Sequence, residues 1–542
     1  MKRILATLTA LLMTLALIPA YAGGLEPITF TFYSEDGSRD QPFTTPIAEL
    51  ITEKTGVTLL FDYPVGGLGV RIPLMTATGD YPDIIYAKGE GAAQLLEADA
   101  VINLAEMFEN SKYLKDFYGD LLPRLWSNGD PNTIWSVGAY AIRQPVWNAQ
   151  SALPIQAAVL KEYDFPKIRT VDEAEALLRD YIAKYPTING RPVYMLSLNN
   201  ADGWRYIIDL GNPSGFLAGY PDHGEWIIDE TTYEATIKYL NPDIKQFYAW
   251  LNKLWNEGFI DPDSFTQSHD DWVAKMSNGQ VLATVSPQWM MNEPEQTMRQ
   301  LGLSDRVYAH LPITWSEDVR SIGTYDNGWS GGWGVMITKS CKDPQRAFDF
   351  IDWMSSEEGL ITRYWGIEGT HYDIIDGIRV LKPEVQAALN GDPDYGNAQG
   401  FDWVYPFPEI GDGIKDSTGS TFSRNTPQLI IENYTDTVKE ALAAYGATMW
   451  ADLFPATSDF PLSPFGAAWQ IEIPTDSEIN DLMTWVQSTW LPVELAKVVT
   501  TSPENFEAQW AEAQQKLVDG GVYRLNEMFT ELVKAKAAAW GN

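Results

Sequence analysis

An α/β fold of at least two domains, with a helix-rich C-terminal third, is what the sequence predicts. Three observations carry this reading. From Ile28 to Leu104, short β-branched and aromatic runs alternate with amphipathic ones. From Trp333 to Gly359 the chain reads as a strand, a cap and a helix. The length of 542 residues exceeds what one hydrophobic core supports, which is about 250–300 residues.

The elements follow in order. Ile28-Thr29-Phe30-Thr31-Phe32-Tyr33 alternates like an opening strand. Phe43 to Thr55 reads as a helix stopped by Gly56, and Val57 to Phe61 as the next strand. Arg71 to Thr78 is helical and closed by Gly79; Asp80 to Tyr86 is a turn running into a strand. A helix over Ala92–Asp99 and a strand over Val101–Leu104 complete the run. Strands separated by helices imply a parallel sheet. In the middle, Val171 to Lys184 is a helix whose first turn carries Asp172 and Glu173, favourably placed against the helix dipole. Pro242 to Glu257 is another, ended by Gly258, and Gly279 leads a strand to Val285 and then Ser286-Pro287-Gln288-Trp289. Ala508–Leu517 and Val522–Ala539 are helical patterns, and no internal repeat or low-complexity segment is found.

The most informative stretch is Ser340 to Gly359. Trp333 to Ile337 has strand character, Asp343 is placed to cap a helix, and Pro344 stands at the first helical position. Ala347, Phe348, Ile351 and Met354 mark one apolar face. Gly359 is expected to stop or kink the helix.

The N-terminus predicts export. Lys2 and Arg3 precede an apolar run from Ile4 to Ile18, and Ala20-Tyr21-Ala22 is a small-x-small cleavage site, so residues 1–22 read as a signal peptide. Gly23 follows, and the only cysteine is Cys341, which excludes an intrachain disulfide and a lipidated Cys at the cleavage point. The mature protein is expected in the periplasm or at the cell surface, not as a lipoprotein. Cys341 itself reads as a small buried residue beside a strand end.

Lys plus Arg total 38 against 73 Asp plus Glu, a net charge of −35. Such a field disfavours nucleic acid, anionic membranes and polyanionic ligands, and suits a neutral or cationic one. Acidity also serves simply to keep an exported chain soluble. Aromatic content points to ligand chemistry: 21 Trp, 26 Tyr and 21 Phe supply flat faces on which sugar rings stack.

The Ser340–Gly359 stretch, with Gly366-Ile367-Glu368-Gly369 after it, resembles one segment of the extracellular solute-binding proteins of bacterial ABC importers (family 1, the LplA-like carbohydrate-binding group). Gly79-Asp80-Tyr81-Pro82-Asp83-Ile84-Ile85 is similar to that family's GD-x-PD segment, and Leu254 to Pro262 to its L-x-x-EG-x-IDP element. The resemblance implies a two-lobed periplasmic-binding-protein type II fold with hinge crossovers and a helical C-terminal region. Residues 25–150 plus 330–375 would form lobe 1, and 151–329 plus 376–542 lobe 2. It implies a binding protein, not an enzyme, that captures a sugar or oligosaccharide between its lobes and delivers it to membrane permease subunits. The chain is expected to act as a monomer without cofactors.

No catalytic constellation is found. His223, His269, His310 and His371 share no metal-ligand spacing, and phosphate-loop, nucleophile-elbow and zinc-helix motifs are absent from the sequence. Carboxylate pairs such as Asp270-Asp271 and Glu357-Glu358 belong more naturally to a solvated surface. Glycoside hydrolysis needs only two carboxylates, so a secreted polysaccharide-active enzyme stays open as an alternative, as does a receptor for a peptide or other organic solute. Some sugar-binding relatives carry a calcium loop where this chain reads Lys184 to Pro192; Asn189 and Gly190 remain there without carboxylates, so no metal is expected.

In open α/β folds, ligands bind beyond the carboxyl ends of the strands. That rule points to Glu35 and Asp36, Lys88, and Trp289, with Trp329 before the crossover strand. Trp204 and Trp403 lie in irregular polar segments and Glu368 beyond the Ser340–Gly359 helix. Trp204, Trp289, Trp329 and Trp403 are expected to stack, and Glu35, Asp36, Lys88 and Glu368 to hydrogen-bond hydroxyls. Packing of the rings and solvation of the charged loops are the competing readings. The family's IR-x-DWL segment is replaced by Ile155 to Leu160, with Gln156, Ala158 and Val159 at the altered positions, so the cargo is expected to differ or to be held differently.

Overall fold

The computed structural model describes residues 26–36, 43–62, 70–143, 146–200, 204–392, 394–401 and 406–541. Its main sheet has five strands: β1 (Ile28–Ser34), β2 (Val57–Asp62), β3 (Ile84–Ala87), β4 (Val137–Gly138) and β5 (Gly334–Ile337). They lie in the order β2-β1-β3-β5-β4. β1 is parallel to both β2 and β3, whereas β5 runs antiparallel to β3 and β4. The last strand in sequence is thus inserted between two early ones, which makes the segment before it a return crossover.

Alternate residues of these strands feed two layers. Phe30, Phe32, Ile84 and Tyr86 enter one core with α1 (Pro46–Thr55) and the Pro344–Met354 helix. Tyr33, Ile85, Ala87 and Met336 enter a smaller core with Ile72 and Met75 of α2 (Arg71–Thr78) and Leu95 of α3 (Gly89–Glu97). Burial on both faces explains why these strands read as apolar runs.

Local chemistry sets most boundaries. α1 starts at Pro46 rather than Phe43, because Thr45 Oγ1 accepts from the Ala48 amide at 3.3 Å and caps it. Gly56, at φ 69°, ends it as predicted. Asp343 accepts from the Arg346 amide at 3.1 Å, and Ala347, Phe348, Ile351 and Met354 are buried. Gly359 is neither stop nor kink. The helix ends at Met354, Ser356 caps the next one, and Gly359 lies inside that Glu357–Trp365 helix. A Cβ there would stand 2.2 Å from the Trp353 carbonyl oxygen. Cys341 is buried and its thiol is pushed up to about 11 by desolvation.

Two predicted strands are not strands. Val101 makes a single bridge to Thr338, after which the Leu104 amide turns to the Ile134 carbonyl. Val281 bridges Tyr194 and Ala283 bridges Ile155, so successive residues pair with different segments and no ladder builds.

The second and larger core gathers residues from Leu153 to Ile313 and from Val438 to Ala537. It includes the Val171–Lys184, Pro242–Asn256, Phe506–Asp519 and Val522–Ala539 helices. Val385, Phe401, Phe407, Ile410 and Phe422 belong to the first core. These five residues lie beyond the expected boundary at residue 375, and they pack with the side chains of the first sheet.

Candidate functional site

The carboxyl ends of β1 and β3 and the start of β5 meet at one edge of the sheet. Glu35 and Asp36 follow β1, and Lys88 follows β3. The pairing of Gly334 with Ala87 sets Trp333 beside Lys88. β4 delivers Tyr140 to the same edge, with the Ala139 amide donating to the Trp333 carbonyl at 3.0 Å. The Lys88 ammonium pairs with the Asp36 carboxylate and lies 5.3 Å from the Trp333 ring centroid. Tyr140 and Trp333 rings are 6.1 Å apart. Both residues hold positive φ, 66° and 52°, a conformation uncommon for large side chains.

Glu35 is buried beneath this edge and accepts from the Lys88 amide at 2.8 Å. Desolvation raises its carboxyl to about 7, with the Lys88 hydrogen bond opposing the rise. Gly91 leaves room for this carboxylate: a Cβ there would come within 2.5 Å of Glu35 Oε1, which would have to shift.

Trp469, an exposed ring that follows Ala468 of the larger core, meets this cluster. Its ring lies 5.0 Å from that of Trp333, at 56°. Gly224 lets it approach: a Cβ there would stand 3.1 Å from Trp469 Cβ. Beside it, His223 Nδ1 accepts from the Ala468 amide at 3.5 Å, and burial lowers this imidazole to about 4, so it is neutral at physiological pH. The Thr475 amide reaches back to Glu97 of α3 at 3.0 Å.

A second cluster forms within the larger core. Tyr194 and Leu196 bridge Val281 and Ile260 in parallel fashion, so Asn199 and Ser286 emerge at the same end. Asp209, on the π-helical turn Ile207–Gly211, joins them: it accepts from the Asn199 amide at 2.7 Å and from Ser286 Oγ at 2.8 Å. Full burial raises its carboxyl to about 6. Asn199 Nδ2 meets His269 Nδ1 at 2.9 Å, and Gln267 Nε2 donates to the Leu198 carbonyl at 2.9 Å. Just beyond, Trp204 and Trp289 rings lie 5.7 Å apart at 31°, and both are exposed.

The predicted residues fall into three groups. Glu35, Asp36 and Lys88 are brought together, and so are Trp204 and Trp289. Trp329 is core: its ring stacks on Tyr118 at 5.0 Å and its indole N–H donates to the Ala139 carbonyl at 3.1 Å, which leaves no face for a ligand. Glu368 is exposed where the chain bridges Tyr372, apart from both clusters, and His371 is buried and tied to Ile367 and Gln399. Trp403 lies outside the described residues. Gln156 and Val159 are also interior; Gln156 donates to the Val281 carbonyl at 2.7 Å and accepts from Arg306 at 3.0 Å, so this altered segment acts in packing.

Sequence reading missed Trp333, Tyr140, Trp469, Asn199 and Asn200. Trp333 had a signal, since it starts the crossover strand. Trp469 had none, because its partner is 136 positions away.

Among the described residues, no three His, Cys, Asp or Glu side chains gather as a metal site. Thr187–Ile188 and Arg191–Pro192 form a hairpin turning at Asn189-Gly190. A cavity of about 460 Å³ lined by Tyr181, Tyr185, Ile188 and Arg306 shares no residue with either cluster. Indoles beside hydrogen-bonding side chains suit binding of a ligand with flat apolar faces and polar edges.

Residues 47–370, more than half of the chain, match the family model described as bacterial extracellular solute-binding protein. Lipoprotein LipO of Bacillus subtilis (strain 168) is 23% identical over 358 residues. That match spans 62% of this chain and 65% of the relative, just under two thirds of its length. The alginate-binding protein AlgQ2 superposes with a TM-score of 0.65 at 14% identity, covering 94% of this chain and 98% of AlgQ2. An HMO binding ABC-transporter associated solute-binding protein from Bifidobacterium longum infantis gives 0.65 at 13%, over 94% and 99%. The S. pneumoniae ABC-transporter substrate-binding protein FusA, in complex with kestose, gives 0.64 at 14%, over 94% and 99%. These likenesses establish a shared two-lobed fold.

Proposed function

The chain belongs to the bacterial extracellular solute-binding proteins, and from that membership we propose that it is the substrate-binding component of an ABC importer. It captures a sugar or oligosaccharide between its two lobes and hands it to a membrane permease. One observation carries the reading. Two tryptophan pairs, each beside polar side chains, stand at strand ends: Trp333–Trp469 at the junction of the two cores and Trp204–Trp289 on the larger one. Indole faces supply stacking while carboxylates, amides and an ammonium supply directional bonds. Neighbours of the same fold named for alginate, HMO and kestose support the sugar class.

Lobe 1 in this reading is the five-stranded sheet with residues 383–422, and lobe 2 is the larger core. Hinge bending at the crossovers before β5 and after β4 opens and closes them. Gly23 at the predicted cleavage position supports export without a cysteine-linked lipid. The clusters bind and do not cleave.

The test is a thermal-shift and intrinsic-fluorescence screen against oligosaccharides. A sugar that raises the unfolding midpoint and changes tryptophan emission supports the proposal. Response only to peptides overturns it, and new reducing ends during incubation with glycans overturn the non-enzymatic part.

A further inference from the structure

We infer that the Asn199–Asn200–Gln267 amide cluster is the specificity-determining subsite of this site, and that it selects neighbouring hydroxyls of a neutral sugar over a sugar carboxylate. The inference rests on the sugar reading above. Asn199, Asn200 and Gln267 are all at least nine-tenths buried. Four of their polar atoms have no hydrogen-bond partner: Asn199 Oδ1, Asn200 Oδ1, Asn200 Nδ2 and Gln267 Oε1. Buried polar groups in native folds are almost always paired, so four orphans on Asn199, Asn200 and Gln267, whose nitrogen bonds the carbonyl of the preceding Leu198, mark a place where something else binds.

The identity of the orphans decides the ligand class. With Asn199 Nδ2 donating to His269 Nδ1, which requires that imidazole to carry its proton on Nε2, three are acceptors and one is a donor group. The Gln267 assignment is fixed by its surroundings, since its nitrogen faces the Leu198 carbonyl, which only accepts. Both ends of Asn200 are free, so its orientation does not alter the count. A hydroxyl offers one donor and accepting lone pairs, and a neighbouring pair of hydroxyls satisfies both ends of a carboxamide. A carboxylate offers acceptors only. It would meet three acceptors and one donor group, with the Asp209 carboxylate hydrogen-bonded to the Asn199 amide behind them. Asp209 titrates at about 6 and is therefore charged at neutral pH, adding repulsion.

The position fits a sugar subsite. Asn200 stands four positions before Trp204 in the sequence, and Ser286, held on the same Asp209 that accepts from the Asn199 backbone amide, three before Trp289. A ring stacked on the exposed indole pair would present its edge to the amides. The Pro408–Arg363–Glu409 and Lys238–Glu225–Tyr239 clusters also hold buried charge, but they are bonded into the fold at the Pro408 and Gly224 carbonyls.

Isothermal titration calorimetry on the full chain tests this. The probes are malto-, manno- and fructo-oligosaccharides and, at equal length, oligogalacturonate. A neutral member is expected to bind, with oligogalacturonate weaker by about 100-fold, and Asn200→Asp to weaken the neutral ligand by about 10- to 100-fold. Asn200→Ala carries the same expectation should the aspartate variant not fold, with circular dichroism and the unfolding midpoint as the check. Tighter binding of oligogalacturonate overturns the inference. So do folded variants that bind within about twofold of wild type, and in that case the sugar reading stands. A wild-type chain that binds no sugar of the panel overturns both.

Discussion

The Lys88 ammonium lies 5.3 Å from the centre of the Trp333 ring, although the two residues are 245 positions apart in sequence. The antiparallel register of Gly334 with Ala87 makes them neighbours, and the Asp36 carboxylate holds the ammonium in place. The ammonium and the Trp469 ring, 5.0 Å away and tilted at 56°, both contact the Trp333 indole and limit its rotation.

Removal of Trp469 tests that contact. Trp469→Ala is expected to weaken ligand binding by about 10-fold or more and to lower stability by about 1–3 kcal/mol, since one ring contact between the cores is lost. Calorimetry and urea unfolding report the two effects separately. Unchanged affinity would place the ligand elsewhere.

Trp289 separates binding from stability. Its ring is 52% exposed, so Trp289→Ala should shift unfolding by no more than about 0.5 kcal/mol. Affinity for the ligand should nevertheless fall by about 10-fold through lost stacking. A large loss of stability would show that the ring is structural.

Glu35 makes stability depend on pH. Its carboxyl titrates at about 7 in the fold against 4.5 ordinarily, so between those values the folded chain holds a proton that the unfolded chain has released. Its contribution is complete below pH 4.5 and is lost as pH rises through about 7. Glu35→Gln keeps an acceptor for the Lys88 amide and does not ionise. The variant should gain on wild type by on the order of 1–3 kcal/mol between about pH 5 and pH 8. Parallel unfolding curves across that range would contradict the assignment.

Arg379 and Asp416 form a buried ion pair that anchors the Tyr372–Ile375 and Ile378–Leu381 hairpin, with Arg379 also donating to the Thr421 carbonyl at 3.0 Å. Arg379→Met strands a buried carboxylate and should cost about 3–5 kcal/mol. Adding Asp416→Asn should recover part of that loss. Absence of recovery in a double-mutant cycle would mean the two side chains do not interact energetically.

Asp343 caps an exposed helix start. Asp343→Ala should cost about 1 kcal/mol and Asp343→Asn much less, with ligand affinity unchanged. Thermal unfolding checks the first and calorimetry the second.

Legibility in the sequence followed the range of the forces involved. Helices 171–184 and 522–539 were read to the residue, because caps and apolar periodicity act within a few positions. Val101–Leu104 and Val281–Val285 misled, because extended backbone becomes a strand only when distant segments align beside it for several residues. Glu35, Asp36 and Lys88 were chosen from strand ends alone, and the structure brings the three together. Trp329 was chosen by the same rule and lies in the core, since being near a strand end does not say which way a ring turns. Asn199 and Asn200 passed as turn residues, since an unpaired amide is visible only when its surroundings are known.

By itself the sequence determined the α/β class, the cap and face of the Pro344–Met354 helix, and the chain's family. These rest on local pattern and on motif order. Tertiary structure alone decided that Val385, Phe401, Phe407, Ile410 and Phe422 pack in the first core, that Trp333 contacts both Lys88 and Trp469, and that three buried side-chain amides keep unpaired atoms. Each is a contact between segments far apart along the chain. Such contacts follow from which apolar faces find partners once the chain has closed on itself, and no local propensity encodes them.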